Sequence, residues 1–229
     1  MNLIIEIKKR VSANNVTSFA VNAVRTIYQN LKATKEEIQN SLINTLAPLY
    51  EHLRYAVTLT MKKVAVIAPK GTRIRYRAYL NESIVLDQLK YFTKRLQYYA
   101  YGADAKRTST RDKCIPIVVP AIEGGGRSAI DRNKRLHLHL AIGNLPEMSL
   151  AEARALILRA WKDCDFAYNE NNVRDIYDEI GWIGYMTKGV LFGDNNCIEF
   201  DYITRPKSIE FNEIKYLQIN ESTSALELC

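Results

Sequence analysis

The sequence predicts an α+β protein, and three observations carry that prediction. Residues Tyr55–Met61 and Arg135–Gly143 alternate apolar and other side chains with period two, the pattern of half-buried strands. Two segments open with Ser/Thr followed three residues later by Glu, Thr34/Glu37 and Ser149/Glu152, each leading into apolar residues at helical spacing. Between them, Cys114–Glu123 and Arg135–Gly143 flank a glycine run, the arrangement of a long hairpin.

In chain order, residues 13–53 read as helical, with Ile38, Leu42, Leu46, Tyr50 and Leu53 recurring on one side. They offer no catalytic constellation, and His52 stands alone, so 1–53 is expected to be an N-terminal helical extension. Tyr55, Val57, Leu59 and Met61 alternate with Ala56, Thr58 and Thr60 as a first central strand. Lys62–Tyr79 follows, rich in cations (Lys62, Lys63, Lys70, Arg73, Arg75, Arg77) with Tyr76 and Tyr79 interleaved. Phosphates need positive charge and splayed bases need a stacking surface, so this composition suits a single-stranded nucleic acid, although a solvated hairpin has the same look.

Ser83 is a candidate cap for a helix running to about Tyr101, with Val85, Leu89, Phe92, Leu96 and Tyr99 inward and Gly102 ending it. Ala103–Lys113 is polar and reads as a loop. In Cys114–Glu123 the prolines Pro116 and Pro120 cannot donate to a ladder, which predicts an unpaired or bulged stretch. Ser149 opens a helix through Trp161. Asp165–Tyr168 reads as extended, and Asn172 as the cap of a helix over Val173–Lys188 with Ile176, Ile180 and Ile183 as its buried stripe and Gly189 as its end. Within it, Gly181 and Gly184 each cost about 1 kcal/mol relative to Ala, which calls for close packing or close approach of a substrate.

Composition narrows the function classes. The 229 residues are 47% hydrophobic and 25% charged, and no run is long or apolar enough to span a bilayer. The start lacks the order of a signal peptide, and Cys114, Cys164, Cys197 and Cys229 form no C-x-x-C, so reduced thiols in an intracellular, cytoplasmic setting are expected. The net charge is +7, and residues 208–229 hold a net of −3, leaving +10 on 1–207. That excess points to a polyanionic partner.

His137 and His139 are two of only three histidines in the chain, and two-residue spacing on a strand projects both from one face. The hairpin returns Glu123 towards them, with Asp131 as the alternative carboxylate. Two imidazoles and a carboxylate make a mixed nitrogen and oxygen site suited to Mg²⁺ or Mn²⁺. Arg127, Arg132, Lys134 and Arg135 surround the turn, so the candidate nucleic-acid contacts are Lys62, Lys63, Arg73, Arg75, Arg77, Arg127, Arg132, Lys134 and Arg135. Tyr185 and Lys188, three apart, share a helix face.

Taken in order, the Thr-containing strand Ala56–Met61, the pair His137-Leu138-His139 and the segment Tyr185-Met-Thr-Lys188 resemble the three motifs of the HUH endonucleases. Tyr-x-x-Lys with a single tyrosine is most similar to the rolling-circle replication initiators of viruses and plasmids. The resemblance spans Tyr55 to Arg205. It implies a central antiparallel β-sheet flanked by helices, like an RNA-recognition motif, over 54–207, while the N-terminal helices and the acidic tail expected over 208–229 lie outside it. It implies that His137, His139 and Glu123 hold the metal, Tyr185 is the nucleophile and Lys188 stands beside the phosphate. The substrate would be single-stranded or hairpin origin DNA. No G-x-x-x-x-G-K-[ST] occurs, so helicase and polymerase would come from separate, host-supplied proteins. A transposase or relaxase of the same group is an alternative, as is a non-catalytic single-stranded nucleic-acid-binding protein. Tyr168 and Tyr177 are alternative nucleophiles, neither with a lysine three residues on.

Overall fold

The computed structural model describes residues 34–68, 71, 74–125, 127, 134–194 and 196–209. Four strands form one antiparallel sheet: β1 (Leu53–Met61), β4 (Ile117–Glu123), β5 (His137–Gly143) and β6 (Ala167–Asp175), in the order β4-β5-β1-β6. β2 (Val64–Ile67) and β3 (Tyr76–Tyr79) make a separate two-stranded hairpin. The helices are α1 (Lys35–Leu46), α2 (Glu82–Tyr101), α3 (Leu150–Lys162) and α4 (Glu179–Met186). The protein is therefore α+β with a helix-flanked antiparallel sheet. No helix among the described residues is long and apolar enough to cross a membrane.

Alternation on the strands sorts side chains to two cores. Tyr55, Val57, Leu59, Ile122, Leu138 and Leu140 pack with Leu89 and Phe92 of α2 and Ile157 and Trp161 of α3. On the opposite face, the smaller Ala56, Val119, Ala121 and Ala141 lie under α1 and α4, which contribute Leu42, Leu46, Trp182, Ile183 and Met186. Both capping boxes form, at Thr34 with Glu37 and at Ser149 with Glu152.

Four local expectations are revised. The helix expected to run to Leu53 stops at Leu46, because Pro48 enters a 3-10 turn (Ala47–His52) and Leu53 already begins β1. Residues 13–33 lie outside the described residues. The cap of α2 is Asn81, whose side-chain oxygen accepts from the Ile84 N–H at 2.9 Å, rather than Ser83. β4 pairs with β5 in continuous register, without a bulge. Val118 and Ile122 turn their N–H groups away from β5, to Thr204 and Cys197, and Pro120 is in phase with them, so its missing N–H costs the β4–β5 ladder nothing.

The largest revision concerns residues 167–189. They form the edge strand β6, and α4 begins only after its cap Asp178. Among the middle residues of β6 only Val173 is fully buried, so the polar run Asn169–Asn172 hides the period of two. Accordingly Ile180 is 60% exposed, and the buried side of α4 is Trp182, Ile183 and Met186. The chain passes Gly189 in a further 3-10 turn, Lys188–Phe192, ended by Gly193. Gly181 makes room for the capping carboxylate, since a Cβ there would lie 2.2 Å from Asp178 Oδ2.

Candidate metal centre

The β4–β5 register sets Glu123 opposite His137, and the period of two brings His139 to the same face. One donor atom from each of Glu123, His137 and His139 lies within 4.8 Å of the others, so this cluster could hold a metal ion. His139 Nε2 is 2.8 Å from Glu123 Oε2, and His137 Nε2 is 3.7 Å from the same oxygen. Asp131, the alternative carboxylate, lies outside the described residues.

The far side of each imidazole is occupied. His137 Nδ1 is 2.9 Å from the Arg135 carbonyl, which can only accept, so the neutral ring carries its lone pair on Nε2, towards the site. His139 Nδ1 is 3.0 Å from Thr58 Oγ1. The Thr58 hydroxyl can donate to Nδ1 while Nε2–H donates to Glu123. It can equally accept from Nδ1–H when Nε2 gives its lone pair to a cation. The donor set and its supporting shell therefore fit a divalent cation.

The site is closed to solvent on the sheet side. His139 is 2% exposed and Glu123 9%. Burial holds the His139 imidazole below its ordinary value, with Glu123 partly opposing the shift. Burial alone would raise the Glu123 carboxyl, but the neighbouring His137, His139 and Lys188, the last two within hydrogen-bond distance, outweigh it and hold the group well below the usual carboxylate range. Lys188 Nζ donates to Glu123 Oε2 at 2.8 Å, and Lys134 Nζ stands 3.5 Å from Oε1.

Tyr185 borders this centre. Its ring centroid is 5.0 Å from that of His139 in edge contact, and it stacks on Trp182 at 5.3 Å with 17° between planes. The Arg174 guanidinium lies over the Trp182 ring at 5.3 Å, and Lys188 Nζ is 3.6 Å from the Tyr185 centroid. Tyr185 remains 44% exposed. Tyr177 is 80% exposed, while the Tyr168 ring is covered by Arg135 at 4.2 Å.

Trp182, Thr58 and Arg174 are the site residues that sequence reasoning did not single out. A Trp three residues before the tyrosine, and a Thr in phase with the histidine face of a neighbouring strand, were the available signals.

The expected nucleic-acid contacts spread around the centre. Lys62 and Lys63 follow β1, Arg75 and Arg77 lie on or beside β3, and all four are exposed, as are Lys134 and Arg135. Arg127 is different: its guanidinium faces Asp194 at 3.1 Å and Glu82 and Glu199 at 3.5 Å, and its side chain is 17% exposed. Arg73 and Arg132 lie outside the described residues. Comparison of the chain with protein-family models, with curated proteins and with solved structures finds no match.

Proposed function

We propose that the protein is a metal-dependent enzyme that nicks and joins single-stranded DNA through a 5′-phosphotyrosine on Tyr185, serving to initiate rolling-circle replication of a virus or plasmid. The observation that carries this reading is the convergence of Glu123, His137 and His139 within 4.8 Å, with the Tyr185 ring in edge contact with His139. The metal assigned to the site is Mg²⁺ or Mn²⁺, given a donor set that includes a carboxylate. Bound there, it would supply Lewis-acid polarisation of the scissile phosphate.

The chain's own residues do the rest. The Tyr185 oxygen forms a bond to phosphorus as the bond to the 3′-oxygen breaks, the phenol loses its proton and the 3′-oxygen gains one. Because one phosphoester replaces another, the reverse attack by a 3′-hydroxyl rejoins the strand. Lys188 neutralises charge developing on the phosphate. Trp182 fixes the plane of the tyrosine ring. Exposed cations on the β2–β3 hairpin and at Lys134 and Arg135 hold the phosphate backbone of single-stranded or hairpin origin DNA. Unwinding and synthesis fall to a separate helicase and polymerase.

The test is a denaturing gel of the protein mixed with labelled single-stranded and hairpin DNA and Mn²⁺. A covalent band is expected for the parent and not for Tyr185→Phe, His137→Ala or the parent in EDTA. Binding without an adduct on DNA taken from beside the gene would refute the enzyme and leave a non-catalytic binding protein.

A further inference from the structure

A cleft of about 750 Å³ opens beside the metal centre, on the other face of the strand that carries Glu123. Adjacent strand residues point to opposite faces, so Ile122 lies in its floor while Glu123 points to the imidazoles. Val85 is likewise buried beneath the cleft, so the apolar surface it offers comes from half-buried Leu136 and from Tyr79 of β3, 69% exposed. Lys63 and Lys134 lie at its edge, and Lys134 also reaches Glu123 Oε1 at 3.5 Å. One lysine thus belongs to both the cleft and the metal centre.

The lining divides by chemistry. Leu136 and Tyr79 are apolar or aromatic, two lysines supply charge for phosphate, and the Glu82 and Asp194 carboxylates gather around Arg127. Carboxylates repel a bare anion yet accept hydrogen bonds from exocyclic amino groups of bases. A ligand with an aromatic ring, amino groups and a phosphate at one end meets all three parts. The volume lies within the ~300–1,000 Å³ range of small-ligand sites.

We propose that this cleft receives one nucleotide of the substrate strand, flanking the phosphate presented to Glu123, His137 and His139. The base lies between Tyr79 and Leu136, and its phosphates are held by Lys63 and Lys134. This rests on the single-stranded-DNA reading above. The shared Lys134 is what ties the cleft to a continuous strand rather than to a free nucleotide.

The experiment uses the full chain in EDTA, so that DNA is bound but not cut. Photo-cross-linking to oligonucleotides carrying 5-iododeoxyuridine at successive positions is mapped by mass spectrometry, and affinity is read by fluorescence anisotropy. Cross-links at Tyr79 are expected, and Tyr79→Ala should weaken oligonucleotide binding about ten-fold, the loss of one stacked base. Tyr91→Ala, on exposed α2 surface, should leave affinity unchanged, and melting curves check that both variants fold. Oligonucleotide binding with cross-links elsewhere and no effect of Tyr79→Ala would overturn the cleft while leaving the enzyme reading intact. Binding of deoxynucleoside monophosphates as tight as that of the oligonucleotide would overturn the strand assignment in favour of a free nucleotide. Failure of any oligonucleotide to bind would overturn both readings.

Discussion

Lys188 and a divalent cation would compete for the same oxygen, and Lys188→Met tests that competition. The ammonium lies 2.8 Å from Glu123 Oε2, with side-chain exposures of 27% and 11%. That oxygen also accepts from His139 Nε2 at 2.8 Å, so a cation shared by Glu123 and His139 has to displace the lysine. Coulomb attraction at this separation is at most about 6 kcal/mol with an effective dielectric near 20, and rehydration of the released ammonium recovers part of it. A hydrogen bond to a charged partner contributes about 1.5–3 kcal/mol net. At about 1.4 kcal/mol per factor of ten, replacing the ammonium by a thioether of similar length should tighten Mn²⁺ binding about 10- to 100-fold. Titration calorimetry, or electron paramagnetic resonance of free Mn²⁺, reads this without DNA. Adduct formation should move the opposite way and fall, because the same ammonium is assigned to the phosphate. An unchanged or weaker Mn²⁺ affinity in a folded Lys188→Met protein would refute the competition.

Thr58→Val keeps the shape of the strand but removes the partner of His139 Nδ1, and should weaken Mn²⁺ binding about 10- to 100-fold by calorimetry, with melting temperature little changed. Gly124 has φ +88°, and a Cβ there would lie 2.3 Å from the Arg135 carbonyl oxygen. Gly124→Ala should therefore destabilise the fold by about 1–3 kcal/mol in urea titrations and weaken metal binding through the displaced Glu123. His139 and Glu123 both have folded-state affinities for protons below their unfolded ones, so the unfolded chain binds protons more readily and stability falls on acidification. The loss should begin below about pH 6.5 for His139 and continue below about pH 4.3 for Glu123. Melting curves from pH 8 to 2 in EDTA should show the lower step in the parent and not in Glu123→Gln, and a melting temperature that rises through pH 6.5 on acidification would contradict the assignment.

The histidine strand was legible because alternation and spacing suffice: a period of two fixes a shared face whatever the neighbours are. The glycine turn then made Glu123 the expected carboxylate, and the register sets it opposite His137. Pro120 misled because a proline says only that one N–H is missing, not which edge of the strand it would have faced. β6 was illegible for a related reason. An edge strand left open on one face buries few side chains, so Asn169–Asn172 carries no hydrophobic period and reads as a loop ending in a helix cap. The stripe of α4 shifted with that boundary, since moving a helix start changes which residues face the sheet. The stacking of buried Trp182 on exposed Tyr185 was beyond sequence, because three-residue spacing puts both on one side of a helix without fixing the angle between their rings.

One strand positions most of the site. β5 supplies both imidazoles, and its Leu140 carbonyl accepts a hydrogen bond from Trp182 Nε1 at 3.3 Å. Trp182 in turn stacks on Tyr185, so the tyrosine is referenced to the same backbone as the histidines across a single side chain. That approach is possible because the sheet under α4 carries Ala56, Ala121 and Ala141 where the other face carries Val57, Ile122 and Leu140. The small residues and the indole are complementary: a larger side chain at Ala141 would lift α4 and move Tyr185 relative to His139 without touching any donor atom. The apolar packing of this face therefore sets the distance between the tyrosine and the metal centre, and the polar residues fix only its direction.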